Sequence, residues 1–302
     1  MRKTIMMLSL AGALALQAQV LNVTSVQRLD VPSDENKVAQ AVAISPQGDY
    51  LLLSTDTKQG LVKWDFSTSR SQVLTDDAGT GSDVFVSEDG KQVVYGQVSF
   101  SNKRRQEAVK SIDLSTGKKQ IIVKPTRDLQ GIAVEKSTVA TITRGQLKTK
   151  ALSGKETEMS RPLLTKHHLK LFITRNGMTT QLAPNGVDER YIWASLSPDG
   201  NKVLYYVSGH GTFVCDVDGS NVIAMGNLTA PKWWDNNTIV GMDEVANEYT
   251  VLASSIVART LDGQVQKLTS DDVIATYPIP SAQAGKIAFS TPDGKIYLIT
   301  VD

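Results

Sequence analysis

Residues 194–206 read ASLSPDGNKVLYY, and the pattern inside them governs most of the chain. Pro198 presets φ for the second position of a type I turn and Asp199 is tolerated at the third. Gly200 takes the positive φ that sends the chain back antiparallel. Ala194, Leu196, Val203 and Tyr205 fall at every second residue, the spacing of strands with one buried face. Related stretches recur as AVAISPQGDYLLLS from Ala41, DVFVSEDGKQVVYG from Asp83, GIAVEKSTVATIT from Gly131, APKWWDNNTIVGM from Ala230 and YPIPSAQAGKIAFS from Tyr277. The residues just before the turns (Ser45, Ser87, Glu135, Ser197, Trp234 and Ser281) lie 42, 48, 62, 37 and 47 positions apart. Units of this size cannot bury a face alone and must stack on their neighbours.

Each hairpin is followed by a second pair of short strands around a turn. Examples are GLVKWDFSTSRSQVLT, AVKSIDLSTGKKQIIV, LKLFITRNGMTTQLA, TFVCDVDGSNVIAM and IVARTLDGQVQKLT. Four strands per unit at a period in the forties predict propeller blades. The reading is an all-β, six-bladed β-propeller forming a single domain over residues 20–302. The sixth unit stops after KIAFSTPDGKIYLITVD with three strands, which leaves an open backbone edge. The segment LNVTSVQRLDV (Leu21–Val31) has no partner of its own and is expected to supply the fourth strand, closing the ring from the opposite end of the chain.

These SPDG-type turns, with DLSTG-type outer turns beside them, resemble the TolB-like β-propeller repeats of the bacterial envelope. The resemblance covers essentially all of residues 20–302. It implies a fold strongly and an activity weakly, because propellers host many functions.

The first residues, MRKTIMMLSLAGALALQAQ, have a basic head (Arg2, Lys3), an apolar stretch from Ile5 to Leu16 and a small-residue tail. They read as a signal peptide over residues 1–18, cut after Ala18. No cysteine follows, so a lipoprotein is not expected, and the mature chain is placed in the periplasm or secreted. No later stretch is apolar for long enough to span a bilayer. The single cysteine, Cys215, alternates with Phe213 and Val217, as a small buried residue would.

Catalytic and cofactor signatures are absent from the sequence: no G-x-S-x-G, H-E-x-x-H, C-x-x-C, P-loop or dinucleotide fingerprint occurs. His167 and His168 are adjacent and would face opposite ways on a strand, a poor start for a metal site. DVDGSN (Asp216–Asn221) reads as a hairpin turn rather than a calcium loop, and Trp233 and Trp234 as packing between blades. Residues leading into the innermost strands should surround the funnel, and these include Gln40, Asp83, Gln130, Trp193 and Tyr277, with Arg190 nearby. One carboxylate and no histidine among them give no expectation of a metal or cofactor.

The formal net charge of +1 hides an asymmetry. Residues 103–175 hold 17 Lys and Arg against 6 Asp and Glu, while the remainder holds 15 against 25. Two segments carry much of the excess: NKRRQ (102–106), with Arg104 and Arg105, and RGQLKTKALSGKETEMSRPLLTKHH (144–168), with Lys148, Lys150 and Arg161. Read as corresponding connections of blades two and three, both would project from the funnel face. Clustered cations attract an acidic protein surface or an anionic polysaccharide. Nucleic acid is not expected, given export and no aromatics interleaved with the basic loops. The function expected is a non-catalytic protein-interaction scaffold of the envelope. The alternative is a lactonase- or lyase-type propeller acting on a sugar or sugar acid in the funnel.

Overall fold

The computed structural model describes residues 19–31, 38–247 and 250–302. The expected signal peptide, residues 1–18, lies outside them. The described residues form seven antiparallel sheets in a ring, so the fold is a β-propeller with seven blades and not six. Blades 1, 2, 5, 6 and 7 have four strands, and blades 3 and 4 have three each. The innermost strands are Ala39–Ile44, Val84–Val86, Leu129–Glu135, Leu163–His167, Tyr191–Leu196, Thr229–Trp233 and Thr276–Ser281.

Ring closure follows the sequence expectation. Val23–Leu29 pairs antiparallel with Ile296–Val301, matching Leu29 to Ile296 and Val26 to Ile299, and becomes the outer strand of blade 7. Just before it, the N–H groups of Val20 and Leu21 both donate to Gln266 Oε1 at 2.7 Å, and Gln266 Nε2 donates to Leu21 O at 3.0 Å. The seam is therefore held to blade 6 as well as blade 7.

The recurring serine explains the repeated turn. In blades 1, 2 and 5 the hydroxyl of Ser45, Ser87 or Ser197 donates to a turn carboxylate, that of Asp49, Asp89 or Asp199. The same oxygen accepts the N–H of Tyr50, Gln92 or Lys202 as the next strand begins. Each serine is fully buried, so one small hydroxyl satisfies the strand end without water. These turns define one face of the ring, the turn face. The chain enters the innermost strands from the other, the funnel face.

The missed blade lies in the long interval between Glu135 and Ser197. LKLFITRNGMTTQLA is not the outer pair of blade 3; it belongs to blade 4 (Leu163–His167, Lys170–Arg175, Met178–Leu182). Blade 3 stops after Gln146–Ala151, its third strand. Three strands leave the chain on the turn face, where the previous blades, with four, return it to the funnel face. Blade 4 accordingly starts from the turn face, and its innermost strand runs opposite to those beside it. At one end, the N–H groups of Ser160 and Arg161 donate to the Glu135 carboxylate at the foot of blade 3. At the other, Leu169 O accepts the N–H of Tyr191, where blade 5 begins. A second set of three strands then delivers the chain back to the funnel face.

Antiparallel neighbours here approach closely. A Cβ on Gly131 would lie 2.2 Å from Thr165 Cγ2, so only glycine lets the innermost strands of blades 3 and 4 meet. The apolar contact beneath is thin. Ala140, Ile142 and Leu163 are the buried members of its cluster, whereas the cluster joining blades 6 and 7 has twelve.

Candidate functional site: the central channel and its rim

The innermost strands of blades 2 to 6 enclose a cavity of about 640 Å³ that runs between the two faces. Asp83, Gln97, Arg105, Glu107 and Gln130 line it towards the funnel face, and Glu135, Met159 and Arg161 towards the turn face. Lys166 from blade 4 and Lys232 from blade 6 also reach it.

The polar side chains are placed by local backbone features. Asp83 precedes the three-residue inner strand of blade 2; its carbonyl accepts the N–H of Gly96, and its side chain lies over that glycine. Lys232 is aimed inward by a bulge: Thr229 pairs with Met242 but Lys232 with Val240, so one extra residue turns the strand. Equivalent bulges occur in blades 5 and 7, and each carries a non-glycine residue in the left-handed region. These are Trp193 (φ 51°), Ala230 (φ 47°) and Tyr277 (φ 51°). Lys166 reaches the channel because the reversed strand of blade 4 carries it.

Electrostatics in the channel follow from enclosure. Asp83 and Lys232 have surface open to the channel, yet the ring of protein around them keeps them away from bulk solvent. Loss of bulk solvation pushes the Asp83 carboxyl above its ordinary pKa; Glu107 adds to the rise, while Lys166, Lys232 and Arg105 oppose it. The same desolvation lowers Lys232, with Asp83 opposing. Arg105 is paired with Glu107. At the other end, burial would raise Glu135, but the Ser160 hydroxyl and the N–H groups of Arg161 and Ser160 outweigh it and hold the carboxyl low.

The funnel residues expected from sequence divide in two. Asp83, Gln130 and Trp193 line the channel, and Gln130 Oε1 accepts the N–H of Gly145 at 3.0 Å. Gln40, Arg190 and Tyr277 are not among its lining residues: Gln40 accepts from Lys58, and Arg190 and Tyr277 are exposed.

The basic set does not share one face. Arg104 and Arg105 do sit at the funnel-face hairpin of blade 2. Residues 144–168, however, are not a connection within blade 3. Lys148 and Lys150 lie on its outer strand, and Lys150 Nζ donates to Ile121 O of blade 2 at 3.1 Å. Arg161 is on the turn face, where Nη1 donates to Pro198 O at 3.3 Å.

The remaining candidates are structural in their contacts. Trp233 Nε1 donates to Ser195 O at 3.3 Å, linking blades 6 and 5, and Trp234 packs into the cluster between blades 6 and 7. Burial pushes the Cys215 thiol up to about 12, far from a reactive thiolate. His167 and His168 do not take opposite faces of a strand. His168 falls in a turn with positive φ, and the ring centroids lie 3.9 Å apart. Among the described residues no three His, Cys, Asp or Glu side chains are grouped to hold a metal ion. No helix there is long and apolar enough to cross a membrane.

Comparison with known proteins gives the fold. No family model matches the sequence, and no curated protein matches it. Among solved structures, a chain of the mitotic checkpoint complex is similar over 100% of this chain and 99% of its own, at 11% identity and a TM-score of 0.59. A putative TolB from Agrobacterium tumefaciens is similar over 88% and 91%, at 15% identity and a TM-score of 0.55. An oligogalacturonate lyase from Vibrio parahaemolyticus follows over 92% and 93%, at 13% identity and a TM-score of 0.49. At such low identities, the structural likeness to the first two shows a shared fold alone.

Proposed function

We propose that this protein is an exported, non-catalytic propeller scaffold that holds an acidic protein partner on its funnel face. The observation that carries the reading is a pair of hairpins standing above that face. In blade 2 the second and third strands run over Gln92–Ser101 and Arg104–Asp113, and in blade 6 over Thr238–Ala246 and Val251–Thr260. The corresponding strands of blades 3 and 5 have six residues. At about 3.3 Å per residue, the extra length lifts each tip by roughly 10 Å.

The tips carry apolar side chains that a lone ring has no use for. Phe100 is 71% exposed on blade 2, and Val245 and Leu252 are 63% and 54% exposed on blade 6. Beside Phe100 stand Lys103, Arg104 and Arg105, so the blade 2 tip pairs an apolar anchor with cations. Aromatic and arginine side chains dominate binding energy at interfaces, and flanking charge sets encounter rate and selectivity.

A photo-crosslinker beside Phe100 in the full mature chain tests this. The expected product is a protein whose capture weakens with salt, falls in Phe100→Ser and in Arg104→Glu, and is unchanged in Lys91→Glu on the turn face. Equal capture by all four proteins would overturn it.

Export is supported by the leader pattern and by the use of Val20 and Leu21, just past the expected cut, in docking to Gln266. The chain recovered from cells should begin at Gln19; one that keeps Met1 would refute export.

A further inference from the structure

The channel holds an imbalance that the scaffold reading does not use. Seven charged residues line it, and four are paired: Arg105 with Glu107, and Arg161 with Glu135. Asp83, Lys166 and Lys232 remain. Neither lysine ammonium has a hydrogen-bond or ion-pair partner among the described residues, and the Asp83 carboxylate has no donor. Asp83 feels both lysines electrostatically across the space without touching either.

All three side chains open onto the channel rather than into packed protein, and there each gains from a partner of opposite charge or a hydrogen bond. Within the protein the obvious remedy, direct contact of Asp83 with a lysine, is not taken. The three stand around a cavity whose volume falls within the range of small-ligand sites. Two cations and one anion leave a single positive charge, which one carboxylate would neutralise. Asp83 would then call for a donor on the same ligand, and a hydroxyl supplies one without adding charge.

We propose that the channel binds a small hydroxylated monocarboxylate, its carboxylate between Lys166 and Lys232 and a hydroxyl donating to Asp83. Lys166 is brought there by the reversed strand of blade 4, and Lys232 by the bulge in blade 6. The site lies inside the ring and does not depend on a partner at the hairpin tips.

Calorimetric titration of the mature chain with gluconate, sorbitol and acetate tests the assignment. Gluconate should bind; sorbitol, which keeps the hydroxyls but lacks the charge, should not. Acetate should bind more weakly than gluconate. Lys166→Met and Lys232→Met should each weaken gluconate by roughly tenfold or more, the scale of a lost charge-assisted hydrogen bond. Asp83→Asn should narrow the preference for gluconate over acetate. Removing an unpartnered ammonium should leave the melting temperature at or above that of the parent, which separates loss of the site from loss of the fold. If Lys232→Met does not fold, Lys232→Gln and Lys166→Met carry the comparison. No heat with gluconate, or unchanged affinity in the lysine variants, would overturn the proposal.

Discussion

Blade 7 and the pair formed by blades 3 and 4 both break the four-strand rule, and they repair the break by different physics. At blade 7 a strand from the far end of the chain completes the sheet, and Leu21 joins a large apolar cluster with Ile299 and Val301. At blades 3 and 4 no strand is borrowed. The direction of a whole blade is inverted, a carboxylate clips the connection, and the apolar contact is small. One seam is held by ladder hydrogen bonds and burial, the other by side-chain polarity and a glycine. The lesson is that a propeller tolerates a missing strand either by long-range pairing or by restoring strand parity locally.

The largest effect should come from the first seam. Removing residues 19–31 strips blade 7 of its outer strand and uncovers its edge. Urea unfolding followed by circular dichroism should lose its single sharp transition; a truncated chain that melts like the parent would break the comparison.

At the second seam, Gly131→Ala drives a methyl into Thr165 and should cost about 1–3 kcal/mol in urea midpoint stability. Pairing it with Thr165→Ala should recover part of the loss, because the two positions share one contact. Strict additivity would deny the close approach.

A smaller effect is expected at the clip. Glu135→Gln keeps the shape but gives up the charge, a loss of about 1–2 kcal/mol for hydrogen bonds to an ionised group. The carboxyl is held below its ordinary value of 4.5 in the fold, so its contribution is present above that value and drains away as pH falls through the lower one. The difference between parent and variant should therefore shrink in acid. A gap independent of pH would assign the clip to packing.

Much of this fold was legible because the serine turn is a local device. Ser45, Ser87 and Ser197 announce hairpins through the same hydroxyl contacts, and the orphan segment Leu21–Val31 had to pair somewhere. Blade 4 was illegible for the same reason. Its first turn, at His168–Leu169, faces the funnel and lacks the motif, so its strands read as the outer half of blade 3. Only the 62-residue interval hinted at a further sheet. Glu135, at the pre-turn position that serine holds in blades 1, 2 and 5, instead accepts the N–H groups of Ser160 and Arg161 where the chain enters blade 4. The channel was half legible: Asp83, Gln130 and Trp193 follow from the rule that residues leading into inner strands face the axis. Lys166 was hidden by the inverted strand, and Lys232 by a bulge that shifts its register by one.

The inverted blade carries a consequence for how such rings change in number. A lone sheet with an odd strand count strands the polypeptide on the wrong side, so odd sheets must enter or leave a ring in twos. Residues 127–190 thus form a cassette that begins and ends on one side. Grafted whole between two ordinary blades of another ring, it could enlarge the circle without rewiring a single neighbour.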